Sequence, residues 1–276
     1  MEYTLNVRGH LMELGTPQVM GIVNTTPDSF FAASRVQTEE QIAQRCRQIV
    51  QEGGTIIDVG ACSTRPGADP ATQAEEMERL RMALAVVRRT LPEAVLSVDT
   101  FRPDVARMAV EEFGADIIND ISGGSPDMFR LVAKMGVPYV LTSQQPDIRN
   151  MLLTFAASIQ QLRDFGQKDI ILDPGFGFGK TLEQNYEILD DLEQLTVLSL
   201  PILVGVSRKS MIYKRLGITP DEALNGTTVL NTLALARGAS ILRVHDVRQA
   251  VEICKLTTHR QFTSTSTLTS TLNTHQ

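Results

Sequence analysis

The sequence of 276 residues has few of the features that mark several classes of protein. It contains no Trp, four Tyr and three Cys, and the cysteines Cys46, Cys62 and Cys254 form no CxxC pair. A sparse, odd cysteine count is typical of a reducing compartment and gives no disulfide or zinc signature. The sequence therefore favours a cytoplasmic protein.

Long apolar runs and basic clusters are missing as well. No apolar run is long enough to span a bilayer, and the amino terminus does not have the pattern of a signal peptide. The formal net charge is −6, with no basic arm or stripe. We therefore expect neither a membrane nor a nucleic acid as partner, although a local cluster of Arg, Lys and His can still bind an anionic substrate.

The chain does contain short apolar runs that alternate with amphipathic stretches. Eight runs predict strands, at 19–23, 55–59, 94–98, 116–119, 137–141, 169–172, 201–204 and 240–243. Helix-like segments lie between them, for example at 38–52, 71–90, 102–113, 126–134, 181–195 and 220–237. Apolar strands separated by helices indicate a parallel sheet. Eight of them without a linker favour an α/β protein with a closed (β/α)8 TIM barrel, and an open doubly wound sheet is the alternative.

Two helix starts carry local signals. Thr38, followed by Glu39 and Glu40, predicts an N-cap with an acidic first turn. Ser125 followed by Pro126 predicts a cap with proline at the first helical position.

The two ends of the chain set the predicted domain limits. Segments 3–7 and 10–14 around Gly9 resemble a small hairpin that would close the N-terminal mouth of a barrel. The last residues are rich in Ser and Thr and have no apolar periodicity. We therefore predict one barrel domain at 1–258 and a disordered tail at 259–276.

Polar residues are concentrated where the predicted strands end. The clusters lie at 24–28, 60–67, 99–100, 119–120, 173–180, 207–210 and 243–246. In a barrel the carboxyl ends of all strands open on one face, and catalytic sites are built there. The clusters therefore predict one shared site.

The cationic residues of these clusters suit a phosphate group. Arg65, Arg243 and His245 offer donors to the oxygens of a di- or triphosphate. His245 follows Arg243 by two residues, so both side chains lie on one side of the strand. Asn24 could complete a hydrated Mg²⁺ site, because this ion keeps several waters and takes few protein ligands.

The remaining polar residues suit a flat nitrogenous ring. Asp99, Asn119 and Asp173 are acceptors for adjacent N–H groups of a heterocycle, and Lys209 can donate to a ring carbonyl or nitrogen. Other polar features have a simpler interpretation. The glycines at 175, 177 and 179 are more typical of a turn than of a phosphate cradle, and Asp58 is typical of a buried structural carboxylate paired within the barrel.

Together these residues resemble the dihydropteroate synthase family of pterin-binding barrels. The motifs that carry the resemblance lie at 21–30, 63–68, 97–100, 118–121, 172–180, 207–212 and 243–247. The resemblance implies transfer of a (7,8-dihydropterin-6-yl)methyl group from its diphosphate to the amine of 4-aminobenzoate. The products would be 7,8-dihydropteroate and diphosphate, in folate biosynthesis.

The resemblance also implies roles for individual residues. The pterin would be bound by Asp99, Asn119, Asp173 and Lys209, with Phe178 beside it. The diphosphate and 4-aminobenzoate end would be handled by Thr64, Arg65, Arg243, His245 and, with Mg²⁺, Asn24. The 4-aminobenzoate pocket would be lined by Phe30, Pro66 and Ser210. Catalysis would rest on Asp99, Lys209, Arg65 and His245, and family members are commonly homodimers.

Two segments depart from the family pattern. The family usually shows Met-His-Met after the fifth strand, where this chain has Thr142-Ser143-Gln144-Gln145-Pro146. The first loop continues as Phe31-Ala32-Ala33-Ser34 instead of Ser-Asp-Gly-Gly. Two alternatives therefore stay open: a pterin-binding barrel that transfers methyl groups from a reduced folate to a corrinoid partner, and a non-catalytic pterin-binding paralogue.

Overall fold

The computed structural model describes residues 3–25, 35–61 and 71–264. Strands β1 (Thr4–Val7) and β2 (His10–Glu13) form an antiparallel hairpin. The following strands are β3 (Gln18–Asn24), β4 (Ile56–Gly60), β5 (Val95–Asp99), β6 (Ile117–Asp120), β7 (Tyr139–Thr142), β8 (Ile170–Asp173), β9 (Ile202–Val204) and β10 (Ala239–Val244). These eight strands are parallel and close into a barrel in which β10 pairs with β3. The predicted TIM barrel with an N-terminal hairpin is confirmed.

Helices cover the outside of the barrel. They are α1 (Arg35–Gln51), α2 (Gln73–Thr90), α3 (Pro103–Phe113), α4 (Pro126–Met135), α5 (Ile148–Asp164), α6 (Leu182–Asp190), α7 (Ser210–Leu216), α8 (Leu224–Ala236) and α9 (Val247–Ser264). Short 3-10 segments lie at Leu192–Leu198 and Pro220–Glu222. Helix α9 continues past residue 258, where the domain was predicted to end. Residues 265–276 lie outside the described residues, so the disordered tail stays a prediction.

The two predicted helix starts have different outcomes. Ser125 caps α4, because its hydroxyl accepts a hydrogen bond from the backbone N–H of Met128, and Pro126 is the first helical residue. The cap predicted at Thr38 is wrong, since α1 already begins at Arg35. Thr38 is 5% exposed, and it lies within the first turn. Glu39 and Glu40 resemble the acidic first turn of a helix in the sequence, but they lie further inside α1.

The core has two separate parts. The larger part lies between the helices and the outward side chains of the strands. The smaller part fills the inside of the barrel with one apolar side chain from most strands. Leu5 and Val7 of the hairpin and Leu14, directly after it, complete this part. Its members are Leu5, Val7, Leu14, Met20, Ile56, Ile117, Val140, Ile171, Leu203 and Ile241. This cluster fixes which strand positions point inward.

The hairpin closes the N-terminal end of the barrel, as predicted. Arg8, at its tip, has a left-handed backbone (φ 51°) and donates from Nε to Oδ1 of Asp116 at 2.6 Å. Asp116 immediately precedes β6, it is 3% exposed, and its other oxygen accepts from the backbone N–H of Leu96 at 2.8 Å. This ion pair ties the hairpin to the starts of two barrel strands.

Two cysteines lie in the described part of the chain. Cys46 and Cys254 are free and buried, and burial raises the pKa of each thiol to about 11. Cys62 lies outside the described residues. Among the residues that the structure describes, no helix combines the length and the apolar character that a membrane span needs.

Candidate active site

A polar layer lies directly above the apolar filling of the barrel. Side chains alternate along a strand, so the residue two positions after each inward apolar residue also points inward. These second positions are Ile22, Asp58, Ser97, Asn119, Thr142, Asp173, Gly205 and Arg243. A further two residues along lie Asn24, Gly60, Asp99 and His245, at the mouth. The change from apolar to polar residues at a fixed depth places six of the predicted site residues together: Asn24, Asp99, Asn119, Asp173, Arg243 and His245.

Asp58 is the centre of this layer. Its side chain is fully buried, and its Oδ1 accepts from the hydroxyl of Ser97 at 2.6 Å. Its Oδ2 accepts from Nε of Arg243 at 2.7 Å and from Nδ2 of Asn119 at 3.2 Å. The prediction of a buried carboxylate paired within the barrel is confirmed. However, Asp58 was not among the predicted site residues, and it positions two that were.

Arg243 connects Asp58 to Asp99. Its second terminal nitrogen donates to Oδ2 of Asp99 at 2.8 Å. Burial lowers the pKa of Arg243, but the carboxylates of Asp58 and Asp99 outweigh this effect, so the guanidinium stays charged. Burial raises the pKa of Asp99 to about 7, against the attraction of Arg243 and with the repulsion of Asp58. The negative charge of Asp58 thus opposes ionisation of the neighbouring Asp99.

Asp173 and Lys209 form the opposite side of the layer. Oδ1 of Asp173 accepts from the backbone N–H of Gly175 at 2.8 Å, and burial raises the pKa of this carboxyl. Lys209 donates from Nζ to the backbone oxygen of Phe176 at 2.5 Å. Its Nζ also lies 4.6 Å from the ring centre of Phe178. Burial lowers the pKa of Lys209 to about 8, although Asp173 opposes this shift.

The glycine-rich loop after β8 is a turn that brings these groups together. Gly175 has φ 70°, and a Cβ on it would lie 2.1 Å from the backbone oxygen of Ser143. Gly177 has φ 82°, and a Cβ there would lie 3.2 Å from Cδ of Lys209. Only glycine combines this backbone conformation with such close approach. The loop therefore allows Lys209 to reach the carbonyl of Phe176, which supports the interpretation as a turn.

His245 lies at the end of β10 and is held by Ser207. Its Nδ1 is 3.1 Å from Oγ of Ser207, and its backbone N–H donates to the same oxygen. Because Ser207 Oγ accepts that amide hydrogen, its own hydrogen can go to Nδ1, which favours the tautomer protonated on Nε2. Burial lowers the pKa of His245 to about 4, with a further contribution from Arg243. The imidazole is thus neutral and offers a donor.

Arg208 joins the two loops that carry Lys209 and His245. It donates to both oxygens of Asp246, at 3.0 and 2.7 Å, and its backbone N–H donates to the hydroxyl of Thr227. Its backbone is left-handed, with φ 55°. For a non-glycine residue this conformation is unfavourable and is held by its surroundings. Neither Ser207 nor Arg208 was predicted as a site residue.

Asn24 is the last residue of β3 and is exposed at the mouth. Within the described residues there is no group of three or more His, Cys, Asp or Glu side chains that could hold a metal ion. A single amide oxygen fits an ion such as Mg²⁺ that takes most of its ligands from water and phosphate. It does not fit a metal held by protein ligands alone.

Ser210, the first residue of α7, directly follows Lys209.

Four predicted site residues cannot be placed. Phe30, Thr64, Arg65 and Pro66 lie outside the described residues, as do residues 31–34 of the first departing segment. In the second segment, Gln144 is exposed and its Nε2 donates to the backbone oxygen of Ile121 at 3.3 Å.

Known proteins are similar to this chain over most of its length. The family described as pterin binding enzyme matches residues 20–245. The dihydropteroate synthase of Synechocystis sp. is 40% identical over 256 residues, which cover 86% of this chain and 88% of that protein. The enzyme of Escherichia coli is 36% identical over 268 residues, which cover 91% and 94%. The chain belongs to the dihydropteroate synthase family.

A solved structure of the family has the same fold. The dihydropteroate synthase of Xanthomonas albilineans with 4-aminobenzoic acid superimposes with a TM-score of 0.85 at 35% identity, over 95% of this chain and 99% of that one. Dihydropteroate synthases are transferases of folate biosynthesis, so the chain is an enzyme of this class. These matches give no support to the methyltransferase barrel or to the non-catalytic paralogue.

Proposed function

We propose that this protein condenses (7,8-dihydropterin-6-yl)methyl diphosphate with 4-aminobenzoate to give 7,8-dihydropteroate and diphosphate. The observation that carries the proposal is the polar layer inside the barrel, where Asp99, Asn119, Asp173 and Lys209 lie around the charged side chain of Arg243. The family membership supplies the reaction, and the layer supplies groups that suit both ends of the first substrate.

The lower part of the layer suits the pterin ring. Asp173 keeps one carboxylate oxygen beyond the bond to Gly175, and it can accept from adjacent N–H groups of the heterocycle. Asn119 is 1% exposed, and its Oδ1 has no hydrogen-bond partner among the described residues. Lys209 can donate to a ring carbonyl or nitrogen, while the ring of Phe178 lies beside it. A buried polar atom without a partner is unfavourable, so a ligand that pairs with it is stabilised.

The mouth of the barrel, together with the side chain of Arg243 that extends to Asp99, suits the diphosphate. Arg243 uses Nε and one terminal nitrogen for its carboxylates, which leaves the other terminal nitrogen for a phosphate oxygen. His245 offers Nε2–H, and Asn24 can complete the coordination of a Mg²⁺ ion carried by the diphosphate. When bound, this ion would neutralise charge on the leaving group. Thr64 and Arg65 are assigned to this end by the resemblance alone.

The reaction follows from these positions. The bond between the methylene carbon and the diphosphate oxygen breaks, and the bonding electrons leave with diphosphate. The carbon becomes cationic, and this charge spreads into the pterin, where it is favoured by Asp99 in its ionised form, which is present in part of the molecules near its pKa of about 7. The neutral amine of 4-aminobenzoate then forms the C–N bond, and its proton passes to solvent. Because this amine is unprotonated at neutral pH, no strong base is needed.

We also propose that the protein is a cytoplasmic homodimer. Large apolar side chains are exposed on three neighbouring helices: Leu216 on α7, Val229 and Leu233 on α8, and Leu256 on α9, with exposures of 56%, 49%, 38% and 75%. Exposed apolar residues that cluster in this way are typical of protein interfaces. The free buried thiols of Cys46 and Cys254 agree with a reducing compartment. Light scattering at micromolar concentration should give twice the mass of one chain.

One assay tests the reaction. Diphosphate release is measured with dihydropterin diphosphate alone, with 4-aminobenzoate alone and with both. We expect release that depends on both substrates and equals the amount of dihydropteroate formed. Pterin binding without this release would contradict the proposal, and methyl transfer from a methylated reduced folate would support the alternative barrel instead.

A further inference from the structure

Thr142 is the last residue of β7 and lies in the polar layer. It follows the inward residue Val140 by two positions, so its side chain also points into the barrel. In the parallel pairing of β7 and β8 it lies opposite Asp173. Paired residues of neighbouring strands are about 4.8 Å apart and point to the same side. Thr142 therefore lies beside the carboxylate that the proposed function assigns to the pterin.

The hydroxyl of Thr142 is buried without a partner. The residue is 1% exposed, and Oγ1 has no hydrogen bond to any described residue. Three other buried threonines all use their hydroxyls: Thr25 donates to Gly60, Thr100 to Glu76 and Thr227 to Ala223. An unpaired buried hydroxyl is unfavourable and is uncommon in folded proteins.

The methyl group of Thr142 fixes the direction of this hydroxyl. Cγ2 packs towards the glycine turn after β8, where a Cβ on Gly175 would lie 3.0 Å from it. A β-branched side chain has few allowed χ1 rotamers, so a methyl group held on that side holds the hydroxyl on another. The hydroxyl is therefore positioned in advance, without a bond of its own to the described protein atoms.

We propose that Thr142 is a further substrate-binding residue, whose hydroxyl bonds to the edge of the bound heterocycle next to Asp173. This inference rests on the proposed function and extends it by one contact. The edge that faces a carboxylate carries N–H groups, and an amino group on that edge has a second hydrogen. The carboxylate takes one hydrogen, and the hydroxyl oxygen of Thr142 accepts the other. Threonine thus becomes a determinant of specificity for ring systems with an amino group at this edge.

Thr142→Val tests the contact, because valine keeps the shape and removes the hydroxyl. The probe is 6-hydroxymethylpterin, with binding measured by calorimetry. We expect the Kd to rise about fivefold to tenfold, the usual effect of one lost hydrogen bond. The melting temperature should stay the same or rise, because an unpaired buried polar group has been removed. Thr142→Ser should restore most of the affinity, and the KM for 4-aminobenzoate should not change.

Thr257→Val is the matched control. This threonine lies on α9, outside the barrel, and its hydroxyl donates to the backbone of Ile253. We expect it to leave pterin affinity unchanged. An unchanged Kd for Thr142→Val would overturn the proposal. A lower melting temperature in the same variant would then show that the hydroxyl has a structural role. If the wild-type protein binds the pterin but does not form dihydropteroate, the proposed function fails while the Thr142 contact is still measured.

Discussion

Arg243 donates from Nε to the carboxylate of Asp58 at 2.7 Å, in the middle of the barrel, where Asp58 is fully buried. The two residues are 185 positions apart in the sequence. The same guanidinium reaches Asp99 at the mouth. Asp58 therefore positions Arg243, the residue that we propose binds the diphosphate.

Asp58→Asn should destabilise the fold. The amide keeps the shape but leaves Arg243 with half of its counter-charge, and breaking a buried pair costs about 3–5 kcal/mol. Urea unfolding measures this loss. Asp190→Asn is the control, because Asp190 pairs with Arg237 on the surface and its side chain is 71% exposed. We expect a far smaller change there, and equal losses in the two variants would contradict the central role of Asp58.

Asp99→Asn should reduce turnover much more than pterin binding. The carboxylate stabilises a charge that develops only as diphosphate leaves, so its removal affects the transition state more than the bound substrate. We expect kcat to fall about 10²–10³-fold, the range seen when one electrostatic contact to a transition state is removed. The Kd for 6-hydroxymethylpterin should change by less than about tenfold. Parallel losses in kcat and affinity would argue against stabilisation of the cation.

His245 should titrate far below the usual range for histidine. In the free protein, NMR of the imidazole should give a pKa of about 4, because of burial and the charge of Arg243. Inorganic diphosphate should raise this pKa, since its negative charge favours the imidazolium. The His245→Asn variant assigns the resonance. A pKa near the ordinary value of 6.5 in the free protein would contradict the environment described above.

The same shift makes stability depend on pH. Because the folded-state pKa lies below the value of 6.5, the unfolded chain binds more protons at His245 between about pH 4 and 6.5. This residue therefore makes the folded protein more stable as pH rises through that interval. The difference in unfolding free energy between wild type and His245→Asn, followed from pH 4 to 6.5, measures this contribution and should increase with pH.

Asn24→Ala should raise the Mg²⁺ concentration needed for half-maximal turnover. One neutral ligand to an ion that is otherwise bound by water and diphosphate contributes modestly, so we expect a shift of roughly tenfold. The affinity for 6-hydroxymethylpterin, which has no phosphate, should stay the same and serves as the internal control. A change in that affinity, or an unchanged Mg²⁺ requirement, would remove Asn24 from the metal site.

Much of the fold could be predicted from the sequence because its signals are local. Each buried strand is a short apolar run, and the polar residue at its end indicates where the barrel opens. Local signals also misled, since Thr38 and the acidic residues after it resemble a helix start inside α1. Helix α5, at Ile148–Asp164, was not among the predicted segments.

The site was only partly predictable, because its contacts join distant parts of the chain. Asp99, Asn119 and Asp173 were identified from their positions at strand ends. The role of Asp58 depends on Arg243 and that of Ser207 on His245, 38 residues later, and neither pairing leaves a local pattern. One signal was available for Asp58: it lies two positions after Ile56, on the same inward face.

The hairpin that closes the lower end of the barrel has a kinetic consequence. Arg8 and Asp116 hold it against the strand starts, beneath the apolar filling, so ligands reach the polar layer from the mouth. Asn119 and Asp173 lie deeper than His245 and Asn24 by about two strand residues, or roughly 7 Å. With the pterin bound at Asn119 and Asp173, as we propose, we expect the heterocycle to bind before 4-aminobenzoate. We therefore expect the depth of this one-ended barrel to set the order in which the substrates bind.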